Sequence, residues 1–263
     1  MAILGLTGQA QTRRDFTISL SADSAASLHV YLPEHANGRA VIACPGGGYA
    51  MLSMEHEGTD WASYFNAQGI AYAVLTYRLP AGNRELPLSD AREAVLTVRR
   101  EAKAWGIDPH QVGIMGFSAG GHLAAITATT AADDCRPNFQ ILFYPVITMD
   151  EKTGHRGSTL NFLGASHSDT AIVNRYSADL QMRGGVTPPA FITLANDDIA
   201  VPPLTNGLSY YAALLKAHVP VAFHAYPNGG HGYGFRPGFP YHKEVLAELS
   251  AWLKHLAPND VRK

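Results

Sequence analysis

Short runs of apolar residues recur along the chain at positions 28–32, 40–44, 70–76, 112–117, 139–144, 190–195 and 221–226. Each is long enough for one buried strand and too short for a typical helix. Most are separated by stretches in which apolar residues return every three or four positions. Ala91, Ala94, Val95, Val98, Ala102 and Trp105 form one such stripe, with Ser89 or Asp90 placed to cap its start and Gly106 to end it. Leu204, Leu208, Ala212 and Leu215 make a second, and Val245, Leu249, Trp252, Leu253 and Leu256 a third. Apolar strands alternating with amphipathic helices predict an α/β fold with a mostly parallel sheet and helices on both faces, because parallel strands need crossovers and are buried on both sides. Residues 150–189 break the rhythm. Weak periodicity, several glycines and one short apolar patch, NFLG at 161–164, predict a loop-rich cap over the sheet edge.

Composition narrows the partners. A chain of 263 residues with 46% hydrophobic and 16% charged positions suits one sizeable domain over residues 1–263. With 20 Lys+Arg against 22 Asp+Glu and a net charge of −2, it lacks the basic footprint of a nucleic-acid or anionic-membrane binder, and a small, uncharged or weakly charged ligand is expected. Homo-oligomer formation is compatible with this balance. The opening MAILGLTGQAQTRRDF puts its arginines after a very short apolar run, the reverse of an export signal, and no apolar run reaches membrane-spanning length, so the expected compartment is the cytoplasm. Cys44 and Cys135 stand far apart without a CxxC pair and read as thiols rather than a disulfide or a zinc site.

Candidate chemistry begins at 113-GIMGFSAGGHLAA-125, where an apolar run meets a glycine, a lone serine and two more glycines before an alanine-rich, helix-prone segment. A serine at the tip of a sharp strand-to-helix turn projects its hydroxyl above the sheet, with the following backbone N–H groups pointing into the same space. Gly116-Phe117-Ser118-Ala119-Gly120 fits the G-x-S-x-G nucleophile elbow; the alternative is a glycine-rich turn with a helix-capping serine. Serine needs a base, and the base needs an acid to fix its tautomer. In chain order, 196-NDDIAVPP-203 supplies the acid and 226-YPNGGHGYGF-235 the base, each where a strand ends and a loop begins. His231 is the candidate base. Asp198 is favoured as the acid by its D-x-x-V-P spacing, with Asp197 as the alternative and the other carboxylate left to cap the loop or the next helix. The three glycines of 40-AVIACPGGGYA-50 suit an anion hole, with Gly47, Gly48 and Ala119 as candidate N–H donors; the alternative is a flexible turn. His122, four residues after Ser118, reads as a packing or capping histidine, and His56 in MEHEG lacks the spacing of a metal-binding helix.

Read in order, the segments PGGGY, TYRLP, GFSAGGHLAA, FYPVITM, DDIAVP and GGHGYGF resemble the α/β-hydrolase superfamily over about residues 28 to 256. Within it they look most like the bacterial acetyl-xylan-esterase-like carbohydrate esterases. The resemblance implies an eight-stranded, mostly parallel sheet. It also implies a nucleophile at Ser118, an acid at Asp198, a base at His231, anion-hole donors at Gly47 or Gly48 and Ala119, and no metal or organic cofactor. Pro45 stands where lipase-like members carry histidine. The implied activity is removal of short acyl groups, acetyl above all, from small esters such as acetylated sugars or xylooligosaccharides. Tyr49, Tyr144 and the cap would shape the pocket or simply pack. The same triad also serves peptidases and thioesterases, since the motifs do not fix the leaving group, and a non-catalytic binding module would keep the same fold.

Overall fold

The computed structural model describes residues 14–256. Among these, eight strands form one sheet: β1 (Asp15–Ser19), β2 (Ser27–Tyr31), β3 (Gly38–Cys44), β4 (Ala71–Thr76), β5 (Ile107–Phe117), β6 (Phe139–Phe143), β7 (Ala190–Ala195) and β8 (Val221–Tyr226). Their order across the sheet is β1-β2-β4-β3-β5-β6-β7-β8. β1 with β2 and β2 with β4 are antiparallel, and every other junction is parallel. The seven apolar runs all become strands, and the sheet is the mostly parallel, eight-stranded one expected. β1 carries no such run. Its DFTIS alternates exposed and half-buried residues, as an edge strand with one covered face does, and five positions of weak alternation fall below what periodicity detects.

The helices are α1 (Ala62–Asn66), α2 (Glu85–Trp105), α3 (Ser118–Thr130), α4 (Arg156–Leu163), α5 (Thr170–Tyr176), α6 (Gly207–Lys216) and α7 (His242–His255). Successive strand residues point to opposite faces, so Ala40, Ile42 and Cys44 of β3 join Ala91, Ala94, Val95 and Val98 of α2 and Leu123 and Ala124 of α3 in one core. Val41 and Ala43 join Trp61, Phe65 of α1, and Val245, Leu249 and Leu253 of α7 in the other. Each fully buried valine or leucine here contributes about 1.5–3 kcal/mol. That exceeds the few tenths of a kcal/mol separating ordinary helix propensities, so the apolar stripes fix the layers.

Three expectations need correction. α2 starts at Glu85, a turn before Ser89 and Asp90, with Arg84 at its N-cap and Pro87 in the first turn where a missing N–H costs nothing. Asp90 does not cap it: the side chain is buried and binds the backbone N–H and guanidinium of Arg78. The helix does end at Gly106, whose φ of +69° closes it in the left-handed conformation. The leucine stripe near 204–215 faces the wrong way. Leu204 lies before α6 in a 3₁₀ turn, Leu208 and Leu215 are exposed, and the buried face is Gly207, Tyr210 and Leu214. Tyr210 is accepted in the core because its hydroxyl donates to the buried Gln140 side chain at 2.7 Å. Finally, residues 150–189 are not mainly loop. They hold α4, α5 and two 3₁₀ turns, helices too short to show a period, capped by His155 and Asp169 and seated through Phe162 and Leu163 of the NFLG patch.

The site follows from the strand order. After β3 the chain crosses to β4 on one side and returns to β5 on the other, and a crevice opens at the carboxyl ends of strands whose connections diverge in this way. Cys44 at the end of β3 lies beside Gly116 near the end of β5, which sets Pro45–Gly48 against Phe117 and Ser118.

Candidate active site

Ser118 is the first residue of α3 and has a φ of +51°, a strained value for a residue with a side chain. The turn is this tight because Gly116 and Gly120 lack β-carbons. One at Gly116 would lie 2.2 Å from the Gly120 carbonyl oxygen, and one at Gly120 would lie 2.0 Å from that of Cys44. The strained backbone lifts the hydroxyl out of the sheet edge, and Ser118 Oγ meets His231 Nε2 at 2.8 Å. His231 rides on a loop whose Gly229, Gly230 and Gly232 all have positive φ. Its Nδ1 meets Asp198 Oδ2 at 2.6 Å.

The adjacent carboxylates divide cleanly. Asp198 is buried, and its second oxygen accepts from the N–H groups of Ala200 and Val201, both at 2.9 Å. Those two bonds are the physical content of the D-x-x-V-P spacing, because they curl the chain back onto the carboxylate and Pro202 follows with no N–H to satisfy. Asp197 is exposed and points the other way, accepting from Gly230 N–H at 2.8 Å and Gly229 N–H at 3.2 Å. It holds the loop that carries His231, and the Gly230 bond, followed by the Gly229 bond, keeps its carboxyl below the ordinary aspartate range.

The candidate anion hole faces Ser118 from β3. A β-carbon at Gly46 would lie 3.0 Å from that of Ser118, so the loop passes directly beside the hydroxyl. Gly47 and Gly48 have φ of +126° and +65°. Among the described residues no hydrogen bond takes the N–H of Gly47, Gly48 or Ala119, and Ala119 is in the first turn of α3, where N–H groups have no partner within the helix. The loop is held from several sides. Tyr77 of the TYRLP segment donates to the Pro45 carbonyl at 2.7 Å, and Asn161 of α4 donates to that of Gly48 at 2.9 Å. Glu57, 3% exposed, accepts from Gly46 N–H at 2.8 Å and from the Tyr144 hydroxyl at 2.8 Å. Tyr144 in turn accepts from Gly234 N–H at 2.9 Å and packs its ring against His231. One buried carboxylate therefore ties the glycine loop after β3 to the loop that carries His231.

Other histidines have structural work. His122 is fully buried; its Nε2–H donates to the Tyr176 carbonyl at 2.7 Å, so its Nδ1 accepts from Tyr49 at 2.8 Å. Burial pushes its pKa down to about 4, which keeps it neutral. His56 gives its carbonyl to Trp61 and Phe235 N–H groups and its ring to Arg236. Cys44 and Cys135 are free and buried. Sequence reasoning did not single out Glu57, His155 or Asn161. Glu57 and Asn161 bond groups distant along the chain, and His155 bonds its own helix start at Ser158 and reaches Gly48 by packing alone, so no spacing announces their place at the site.

A family model described as the α/β-hydrolase fold matches residues 41–235. The chain is 47% identical over 262 residues to an acetylxylan esterase of Xylanibacter ruminicola, covering 99% of this chain and 55% of that protein. It is 33% identical over 207 residues to endo-1,4-beta-xylanase B of Butyrivibrio fibrisolvens, covering 73% of this chain and 32% of that one. The chain thus spans about half or less of the length of these curated relatives. Among solved structures, the acetyl ester-xyloside bifunctional hydrolase of Caldicellulosiruptor lactoaceticus is similar at a TM-score of 0.83 and 32% identity, over 92% of this chain and 96% of that one. A sugar hydrolase of Lactococcus lactis follows at 0.80 and 28%, over 94% and 99%. No helix among the described residues is long and apolar enough to cross a membrane.

Proposed function

The chain belongs to the α/β-hydrolase family, and from that premise we propose that it is a serine esterase that removes acetyl groups from acetylated sugars or xylooligosaccharides. The observation that carries the reading is the continuous line from Ser118 Oγ through the two ring nitrogens of His231 to Asp198, at 2.8 and 2.6 Å. In the first step His231 Nε2 accepts the Ser118 proton as Oγ attacks the ester carbonyl. Asp198 holds the imidazole in the required tautomer and stabilises its cationic form. The oxyanion is held by N–H groups of Ala119 and of Gly47 or Gly48, each such donor being worth about 2.7–4 kcal/mol in the transition state. The carbon–oxygen bond to the alcohol breaks, and the alcohol leaves with the proton from His231. Water then repeats the attack on the acetyl-enzyme, giving its proton to His231, and acetate departs as Ser118 is restored.

Identity to an acetylxylan esterase supports the acetyl group, and the sugar-directed names of two similar structures support the alcohol. The test is hydrolysis of p-nitrophenyl acetate, butyrate and octanoate, with release of acetate from acetylated xylose, by the wild type and Ser118→Ala. Expected are a preference for acetate, acetate released from the sugar, and a fall in kcat of about 10⁴-fold or more in the variant. Equal rates for the two proteins would remove Ser118 as nucleophile and the mechanism with it.

A further inference from the structure

Helix α4 brings to the site a side chain that no step above uses. His155 is the N-cap of α4, with Nδ1 at 3.1 Å from the Ser158 backbone N–H and 2.8 Å from the Ser158 hydroxyl. A backbone N–H can only donate, so Nδ1 accepts and the neutral ring carries its hydrogen on Nε2. Burial first, and then the nearby His231, lower the pKa of His155, which favours the neutral ring. The far edge of the ring lies against the candidate anion hole, where a β-carbon at Gly48 would sit 3.5 Å from His155 Cε1. Nε2 is the next ring atom, and among the described residues it has no hydrogen-bond partner. α4 is fixed in this place by Asn161, whose side chain donates to the Gly48 carbonyl and whose carbonyl accepts from Gly82, both at 2.9 Å.

Capping alone does not call for an imidazole, since Ser, Thr, Asn or Asp satisfies a helix N-terminus as well or better. What the imidazole adds is a rigid, uncharged N–H donor beside the anion hole. An acetyl group offers it no acceptor except the carbonyl oxygen, which the hole already serves. The remaining acceptors belong to the alcohol. We propose that His155 Nε2–H donates to a hydroxyl or ring oxygen in the alcohol half of the substrate, which makes His155 a specificity-determining residue for polyhydroxylated alcohols. The inference rests on the esterase reading and assigns the recognition of the sugar to the capping residue of α4.

His155→Asn tests it, because asparagine keeps a capping oxygen and removes Nε2–H. The ratio of kcat/KM for acetylated xylose to that for p-nitrophenyl acetate is expected to fall about tenfold, chiefly through KM of the sugar, with the melting temperature retained. His155→Ala should show the same fall in ratio together with a lower melting temperature, since it also loses the cap. An unchanged ratio in folded His155→Asn overturns the proposal, and so does a wild type that does not turn over acetylated xylose. Ser118→Ala, run on both substrates, separates the two readings. An active Ser118→Ala brings down the esterase reading, whereas an inactive one beside an unchanged His155→Asn ratio removes His155 alone.

Discussion

Asp198 and Glu57 are both enclosed carboxylates, 4% and 3% exposed, and each offers both oxygens to donors. Asp198 gives one oxygen to a ring nitrogen of His231 and the other to two backbone N–H groups of its own turn. Glu57 gives one oxygen to the backbone of the candidate anion-hole loop and the other to a tyrosine. Burial and satisfaction are alike, so neither distinguishes the two. The difference is what stands behind the donor: an imidazole that touches Ser118 in one case, and two loops that must keep their spacing in the other. A buried carboxylate next to a serine is therefore no sign of acid–base chemistry until its partner is known.

The comparison predicts variants that differ in kind as well as size. Asp198→Asn preserves shape but presents an amide to His231 Nδ1, which disfavours the tautomer that leaves Nε2 free to accept from Ser118. A loss of about 10⁴-fold in kcat on p-nitrophenyl acetate is expected, with only a small change in unfolding free energy. Glu57→Gln has one accepting oxygen for the two donors Gly46 N–H and Tyr144 O–H, so one of them is left without an acceptor. It should lower the unfolding free energy by about 1–3 kcal/mol, read by urea denaturation. Through displacement of the loop it should also lower kcat by about 10- to 100-fold. Tyr144→Phe removes one of the same donors, so its effect and that of Glu57→Gln should be less than additive in the double variant. A Glu57→Gln that matched Asp198→Asn in kcat while keeping full stability would break the distinction and place Glu57 in the reaction.

The same contrast explains what the sequence makes legible. Six of the seven visible strands lie in the parallel part of the sheet, where cover on both faces favours apolar runs, and the antiparallel β2 shows through its buried Leu28 and Val30; the edge strand β1, half-covered and without a buried residue, is hidden for the converse reason. Ser118, Asp198 and His231 can be proposed from sequence because each sits in a turn with its own local rule: glycines where β-carbons collide, two N–H groups curled onto Asp198, positive φ around His231. Glu57 and Tyr144 obey no local rule, and the capping rule that His155 follows through Ser158 says nothing of the site. The bonds of Glu57 and Tyr144 join positions 46, 57, 144 and 234, and the ring of His155 meets Gly48 only once α4 has docked. The face of α6 misleads for a related reason. Leu208 and Leu215 stay exposed, whereas Tyr210, whose hydroxyl finds an acceptor in the core, packs inward beside Leu214.

The smallest expected effect is also the sharpest check on the pair at 197 and 198. Among the described residues the Asp197 carboxylate bonds the Gly229 and Gly230 N–H groups and is exposed, so Asp197→Ala should cost about twofold in kcat/KM by loosening the loop behind His231. Its carboxyl is held below the ordinary aspartate value of 3.8 in the folded protein, so these bonds contribute in full above that value and are lost as pH falls through the lowered one. The stability difference between the wild type and Asp197→Ala should accordingly stay constant from pH 7 to 5 and narrow below about 3.8. A loss of activity in Asp197→Ala as large as that in Asp198→Asn would make the exposed carboxylate the partner of His231. The 2.6 Å bond from His231 to Asp198 would then be a feature of the resting arrangement and not of the reacting one.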